Sequence, residues 1–303
     1  MVSLCLLQVL LSQATPKALP IKAFILTGQS NMVGHGFFAS DPKRNGGRGS
    51  LEAMVRGGKF KQLLDKEGKW RERDDVFIHY FERKGRLTVG YGAGEDCIGP
   101  EYGFGQVIGD ALKEPVLLIK IAWGGRSLAV DFRPPSSGGT LGPTYSELVT
   151  LSRQAIADVG ANFPQWKGRS VELAGLGWHQ GWNDRIDSKA VAEYEKNMVN
   201  FIRDVRKDLS APGLPVVIAE TGMGGFEEKD KDALALMKAQ EAAAQHPEFK
   251  NSVAFVGTRA FWRPAEESPS DQGYHWNNNG ETYYLIGDGM GRAMAGLLKR
   301  RIR

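Results

Sequence analysis

Ile21-Lys22-Ala23-Phe24-Ile25-Leu26-Thr27-Gly28-Gln29-Ser30-Asn31-Met32-Val33-Gly34-His35-Gly36 is the stretch whose reading decides the fold. Ile21 to Thr27 is a run of apolar and β-branched residues, the pattern of a buried strand. The run breaks at Gly28, and Gln29, Ser30 and Asn31 follow at once. A strand that ends in glycine and presents a serine on the next turn holds a hydroxyl at the carboxyl edge of a sheet. In open α/β sheets that edge is where ligands bind. Taken alone, Ser30 reads equally as a nucleophile and as a serine that only caps the next helix.

The same pattern recurs along the chain. Pro115 to Ala122 reads as a second buried strand running into Trp123-Gly124-Gly125-Arg126-Ser127. Val171 to Gly177 is a third, running into Trp178-His179-Gln180-Gly181-Trp182-Asn183-Asp184. Pro215 to Glu220 and Ser252 to Val256 are the fourth and fifth. Helices are expected between them, over Tyr102–Leu112, Tyr145–Ala161, Lys189–Leu209 and Asp230–Ala244, with a last one over Glu281–Lys299. The third has its apolar residues, among them Val191, Tyr194, Met198, Ile202 and Val205, on one face. Thr144 and Glu147 have the spacing of a capping box. Val76–Phe81 and Arg86–Tyr91 alternate as a hairpin would, with His79 in it as a structural residue. Residues 37–75, rich in Gly, Lys, Arg and Asp, read as a long surface excursion with a short helix near Leu51–Leu64.

Strand and helix alternate without a long linker. This argues for a single α/β domain, a three-layer sandwich with a mostly parallel central sheet. The turns holding Gly28, Gly124, Gly181 and Gly222 should then gather on one edge of that sheet.

The chain has 303 residues, 42% hydrophobic and 24% charged, ordinary values for a globular protein. A formal charge of +4 with interspersed signs, and a short basic tail from Lys299, argue against a nucleic-acid arm. Two cysteines, Cys5 and Cys97, make neither a disulfide framework nor a zinc spacing. Residues 2–14 resemble the apolar core and small-residue end of a secretory signal peptide, though without a basic start. The expectation is a signal peptide over 1–18, one domain over 19–303, and a secreted or periplasmic location. No other stretch is apolar enough for a membrane span.

Gly28-Gln29-Ser30-Asn31-Met32 resembles the first sequence block of the SGNH (GDSL-like) hydrolases, and in particular the carbohydrate esterase branch with acetylxylan esterases and sialate O-acetylesterases. Gly124 resembles the second block. Gly181-Trp182-Asn183-Asp184 matches the family's Gly-x-Asn-Asp block, and His275 lies near the C-terminus as the family's catalytic histidine does. The resemblance runs over about residues 20–300 and implies a flavodoxin-like SGNH fold. It makes Ser30 the nucleophile and His275 the base. The oxyanion donors it implies are the Ser30 and Gly124 backbone N–H groups and a side-chain amide, Asn183 or its rival Gln180. No metal or organic cofactor is implied.

Two departures stand out. The family's acid lies three residues before the histidine, where this chain has Gln272; Asp271 is one residue further back. Asp271 is taken as the orienting acid, with Asp184, Glu220 or a backbone carbonyl as alternatives. Trp182 also stands where some relatives carry an assisting glutamate. Of the other histidines, His246 reads as solvated, His35 as a surface turn close to Ser30, and His179 as a core or substrate contact.

The expected activity is hydrolysis of O-acetyl esters of carbohydrates through an acyl-enzyme, with an acetylated carbohydrate as the partner. Trp123, Trp178, Trp182, Phe261, Trp262, Tyr274 and Trp276 are candidates to line a sugar cleft or, equally, to be core. Two other functions stay open: a GDSL-type lipase or thioesterase, and a non-catalytic carbohydrate-binding protein on a hydrolase fold. The glycan and the oligomeric state are not legible.

Overall fold

The computed structural model describes residues 18–301. The expected signal peptide lies outside these residues, apart from Ala18, as does Cys5. The elements in chain order are β1 (Ile21–Gly28), α1 (Ser30–Val33), β2 (Gly36–Phe37), α2 (Leu51–Arg56), β3 (Val76–Tyr80), β4 (Arg83–Arg86), β5 (Cys97–Ile98), α3 (Pro100–Ala111) and β6 (Val116–Ala122). There follow α4 (Pro143–Ala157), α5 (Val159–Asn162), β7 (Val171–His179), α6 (Trp182–Arg185), α7 (Ser188–Asp208), β8 (Val216–Ala219), α8 (Lys231–Ala244), β9 (Val253–Val256) and α9 (Gly280–Arg301).

Seven strands form one sheet in the order β4-β3-β6-β1-β7-β8-β9. The pairings are parallel except β3 with β4, which form an antiparallel hairpin at one edge. Without that hairpin the remaining five strands run 2-1-3-4-5, the flavodoxin-like order. The order reverses at β1, so β1 lies at the topological switch point. At the end of β1, Gly28 pairs with Ala122 on one side and His179 on the other. The turns after β1, β6 and β7 therefore start at the same height on the carboxyl edge.

Period-two alternation along β1 divides the core. Ala23 and Ile25 face one apolar cluster with Leu148 of α4, Val191 of α7 and Leu236 of α8. Phe24 and Leu26 face the other, with Tyr102 of α3 and Tyr283 of α9. The three-layer sandwich follows. The α3–α9 contact is close because Gly287 carries no side chain: a Cβ there would run into the Pro100 carbonyl oxygen.

Three local expectations are corrected. The hairpin turns earlier than expected, with β4 at Arg83–Arg86 and Tyr80 paired to Arg83. The capping box at Thr144 and Glu147 does not form, because Gly142 is the N-cap and Pro143 opens α4. Proline is well suited to the first helical position, where its missing N–H has no intrahelical acceptor to lose. The helix within the 37–75 excursion stops at Arg56, just before Gly57 and Gly58. The excursion packs onto the late loop: the Asn45 side-chain amide donates to the carbonyls of Ala265 (3.2 Å), Glu266 (3.1 Å) and Ser268 (2.8 Å).

Beneath the Ser30 turn lies a fully buried ion pair between Lys120 on β6 and Glu101 on α3, at 2.7 Å. The Lys120 ammonium also donates to the carbonyls of Val33 and Tyr91, each at 2.7 Å, so each of its three protons has an acceptor. Burial pushes the Lys120 pKa down, and the Glu101 carboxylate opposes the shift. Breaking a buried pair leaves an uncompensated charge. Lys120→Met is therefore expected to destabilise the protein by about 3–5 kcal/mol, read as a lower urea midpoint at unchanged slope. Lys120→Met combined with Glu101→Gln should recover a large part of that loss.

Candidate active site

Ser30 opens α1 directly after the Gln29 N-cap and is half-buried. The turn is tight. Gly28 adopts φ +151°, and a Cβ there would overlap the His179 carbonyl oxygen, so the position requires glycine. Gln29 is buried and ties the first block to the third. Its Oε1 accepts from the backbone N–H of Gly181 (3.1 Å) and Asn183 (3.2 Å) and from Gln180 Nε2 (3.2 Å). Its Nε2 donates to Asn183 Oδ1 at 3.0 Å.

Asn31 ties the first block to the last. Its Nδ2 donates to the Tyr274 carbonyl at 3.0 Å, and its Oδ1 accepts from the Tyr283 hydroxyl at 2.7 Å. That hydroxyl also reaches the His275 carbonyl at 3.3 Å. The residue after Ser30 is thus bonded to the residue before His275, and through Tyr283 to His275 itself. The Gln29 and Asn31 roles are tertiary ones, and the Gly-Gln-Ser-Asn block was their only trace in the sequence.

His275 lies in a turn of unusual backbone. Trp276, Asn277 and Asn278 are all left-handed, with φ of 54°, 54° and 57°. Such conformations persist where the surroundings over-determine them. Here Asn277 Nδ2 donates to the Arg263 carbonyl (3.0 Å), Asn278 Nδ2 to the His35 carbonyl (2.9 Å), and Asn279 Oδ1 accepts from Thr282 N–H (3.0 Å), capping α9. Trp276 is fully buried. The loop that carries the histidine is therefore anchored by its own side chains.

The His275 ring is half-buried, and its Nδ1 is buried with no hydrogen-bond partner among the described residues. Burial, followed by the neighbouring His35, lowers its pKa to about 4. Asp271 is exposed, and no hydrogen bond joins its carboxylate to His275 among the described residues. The alternative acids are engaged elsewhere. Asp184 is buried and accepts from Leu128 N–H (2.8 Å), Ala129 N–H (2.9 Å) and Gln180 Nε2 (2.5 Å), which folds the loop after β6 onto α6. Burial raises its pKa. Glu220 accepts from Thr258 N–H (2.8 Å) and pairs with Arg259 (2.9 Å) at the ends of β8 and β9.

The oxyanion candidates separate. The backbone N–H groups of Ser30 and Gly124 have no acceptor among the described residues. Gly124 is exposed with open space beside it, so its glycine leaves room for an incoming group and is not forced by strain. Asn183 is half-buried, and its Nδ2 donates to the Gly125 carbonyl at 3.0 Å, which leaves the second N–H of that amide. Gln180 is buried, and its Nε2 donates to Gln29, Asp184 and the Arg126 carbonyl (3.0 Å). Both of its protons are committed within the protein.

The aromatic candidates divide too. Trp178 and Trp276 are fully buried core, and the indole of Trp178 donates to Tyr194 at 3.2 Å. Trp182 and Tyr274 meet at the site's rim, ring centroids 5.8 Å apart, with the Arg185 guanidinium 4.5 Å over Trp182. Val130, Ile186, Phe226 and Tyr274, in the loops after β6, β7, β8 and β9, are exposed.

The sheet order and the convergence of these turns on the carboxyl edge define an SGNH-like α/β hydrolase. A family profile described as carbohydrate esterase, sialic acid-specific acetylesterase, matches residues 20–282. The chain belongs to this family and is a carboxylic ester hydrolase. It is 24% identical over 218 residues to the "Probable carbohydrate esterase At4g34215" of Arabidopsis thaliana, covering 71% of this chain and 74% of that one. The solved structure of the Arabidopsis At4g34215 protein superposes with a TM-score of 0.59 at 17% identity, over 91% of this chain and 98% of that one. A carbohydrate acetylesterase of Xanthomonas citri, XAC1771, superposes with a TM-score of 0.53 at 13% identity, over 90% of this chain and 55% of that one. At these identities the two superpositions show the fold.

Proposed function

We propose that the protein is a serine esterase that removes O-acetyl groups from a carbohydrate through an acetyl-enzyme. The Asn31 bridge carries this reading, because it fastens the Ser30 turn to the loop that holds His275. A neutral serine is a weak nucleophile and needs a base to take its proton. His275 takes it on Nε2 as Ser30 Oγ attacks the ester carbonyl. The oxyanion forms against the Ser30 and Gly124 N–H groups, with the free N–H of Asn183 as third donor. His275 then protonates the departing sugar hydroxyl. In the second half it deprotonates water, which releases acetate from Ser30.

A low pKa on His275 keeps the imidazole neutral, the form a base requires. Trp182 and Tyr274 offer apolar faces on which a sugar ring can stack, beside the Arg185 guanidinium. The carbohydrate branch is favoured over a lipase because the rim sets aromatic faces beside a guanidinium.

The test is labelling with a fluorophosphonate, which an activated serine attacks with loss of fluoride, followed by peptide mapping, alongside acetate release from acetylated oligosaccharides. Stoichiometric label on Ser30 together with acetate release is expected. Absence of both in wild-type protein would move the assignment to carbohydrate binding without catalysis.

A further inference from the structure

The His35 and His275 rings lie face to face, with centroids 3.8 Å apart and planes within 7°. This contact covers a face of the His275 ring, whereas the carboxylate of the family pattern would meet its Nδ1 edge, which has no partner among the described residues. His35 is itself well fixed. It follows α1 by two residues and precedes Gly36, which pairs with Ile98 in the β2–β5 ladder. Its carbonyl accepts from Asn278 Nδ2 at 2.9 Å, so the two histidine-bearing segments are also joined through the backbone. The ring is half-buried.

We propose that His35 is the positioning residue for His275, its ring setting the plane of the base by stacking where a carboxylate would set it by a hydrogen bond. This rests on His275 being the base. In the transition state the proton leaving Ser30 makes His275 an imidazolium, and the stacked ring holds its plane while that charge forms. Two imidazolium rings at this separation repel, so the pair holds at most one proton across the working range.

The ionisable groups facing the pair fit that role. Burial, and after it Lys120 on β6, disfavours a proton on His35. Tyr283 on α9 is buried, near Cys97 of β5 and Glu101 of α3, and its own pKa is pushed well up. Tyr274 sets its ring edge-on to His275 at 4.5 Å. The Asp271 carboxylate is exposed to solvent.

The experiment compares wild type, His35→Ala, His35→Phe and Asp271→Asn. It measures kcat and KM on an acetyl ester, and it titrates the imidazole nitrogens of His275 by NMR. We expect His35→Ala to lower kcat about tenfold or more with little change in KM. His35→Phe keeps a flat ring in the stack and should recover most of that loss. It also removes the competing proton site, so the His275 titration should move upward in pH. Asp271→Asn should lower kcat less than His35→Ala does.

Unchanged kcat in His35→Ala, no recovery in His35→Phe, an unmoved His275 titration, or a loss in Asp271→Asn equal to that in His35→Ala would each overturn the proposal. The titration does not depend on catalysis. If Ser30 fails to label while the His275 titration still shifts in His35→Phe, the serine mechanism fails and the stacked pair stands.

Discussion

Ser30→Ala is expected to lower kcat for acetyl-ester hydrolysis by about 10⁴-fold or more, to a residue of activity left by the oxyanion donors and binding alone. KM should change little, since a methyl for a hydroxymethyl removes no group that holds the ground-state ester. The protein should fold as before. The Ser30 side chain makes no hydrogen bond among the described residues, and the turn is held by Gln29 and Asn31 on either side of it. Covalent labelling should vanish with the activity. The check is a progress curve of acetate release, with thermal unfolding measured on the same preparation. A variant that keeps more than about a hundredth of wild-type kcat would exclude Ser30 as the nucleophile.

His275→Ala should be nearly as severe, because nucleophile and base act as a unit and their losses do not add. Ser30→Ala/His275→Ala should therefore be little worse than either single variant. The pH profile of the wild type carries the sharper information. A base must be neutral to accept a proton. Burial and the neighbouring His35 hold His275 near a pKa of about 4. On the acid side, kcat/KM should persist well below the ordinary histidine pKa of about 6.5 and fall as pH drops through about 4. A limb at the ordinary value would mean that the base is solvated in the working enzyme. A limb that moves in Asp271→Asn would return the carboxylate to the ring.

The branch point between sequence and structure falls within the last loop. The order of strands and helices was legible because the central strands β1, β6 and β8 are mostly apolar runs buried on both faces. Each of these runs also meets a turn residue where it ends. The Lys189–Leu209 helix was legible through its single apolar face, and the structure places it at Ser188–Asp208 behind an Asp187 cap. The β3–β4 hairpin and the start of α4 were misplaced by a few residues. There, Pro143 and the Phe81 turn, whose φ is 51°, set boundaries that alternation and spacing do not encode.

For the site, the resemblance to the family's sequence blocks implied Ser30, Gly124, Asn183 and His275, since such a block is a local pattern. What each amide and carboxylate does was decided by tertiary structure. Gln180 and Asn183 are near neighbours with the same chemistry, yet burial commits one to Gln29, Asp184 and a carbonyl and leaves the other at the edge. Asp271 and His35 show the same division. The carboxylate close in sequence to His275 is exposed to solvent, and the ring stacked on His275 comes from the segment just after α1. Local sequence determined which strands form and which turns they enter. Which side chains then meet depended on three-dimensional contacts: the switch-point register at β1, the left-handed run at Trp276–Asn278 and the Asn31 bridge. Hydrogen bonds and ring stacking act over a few ångströms of space, and no distance along the chain predicts them.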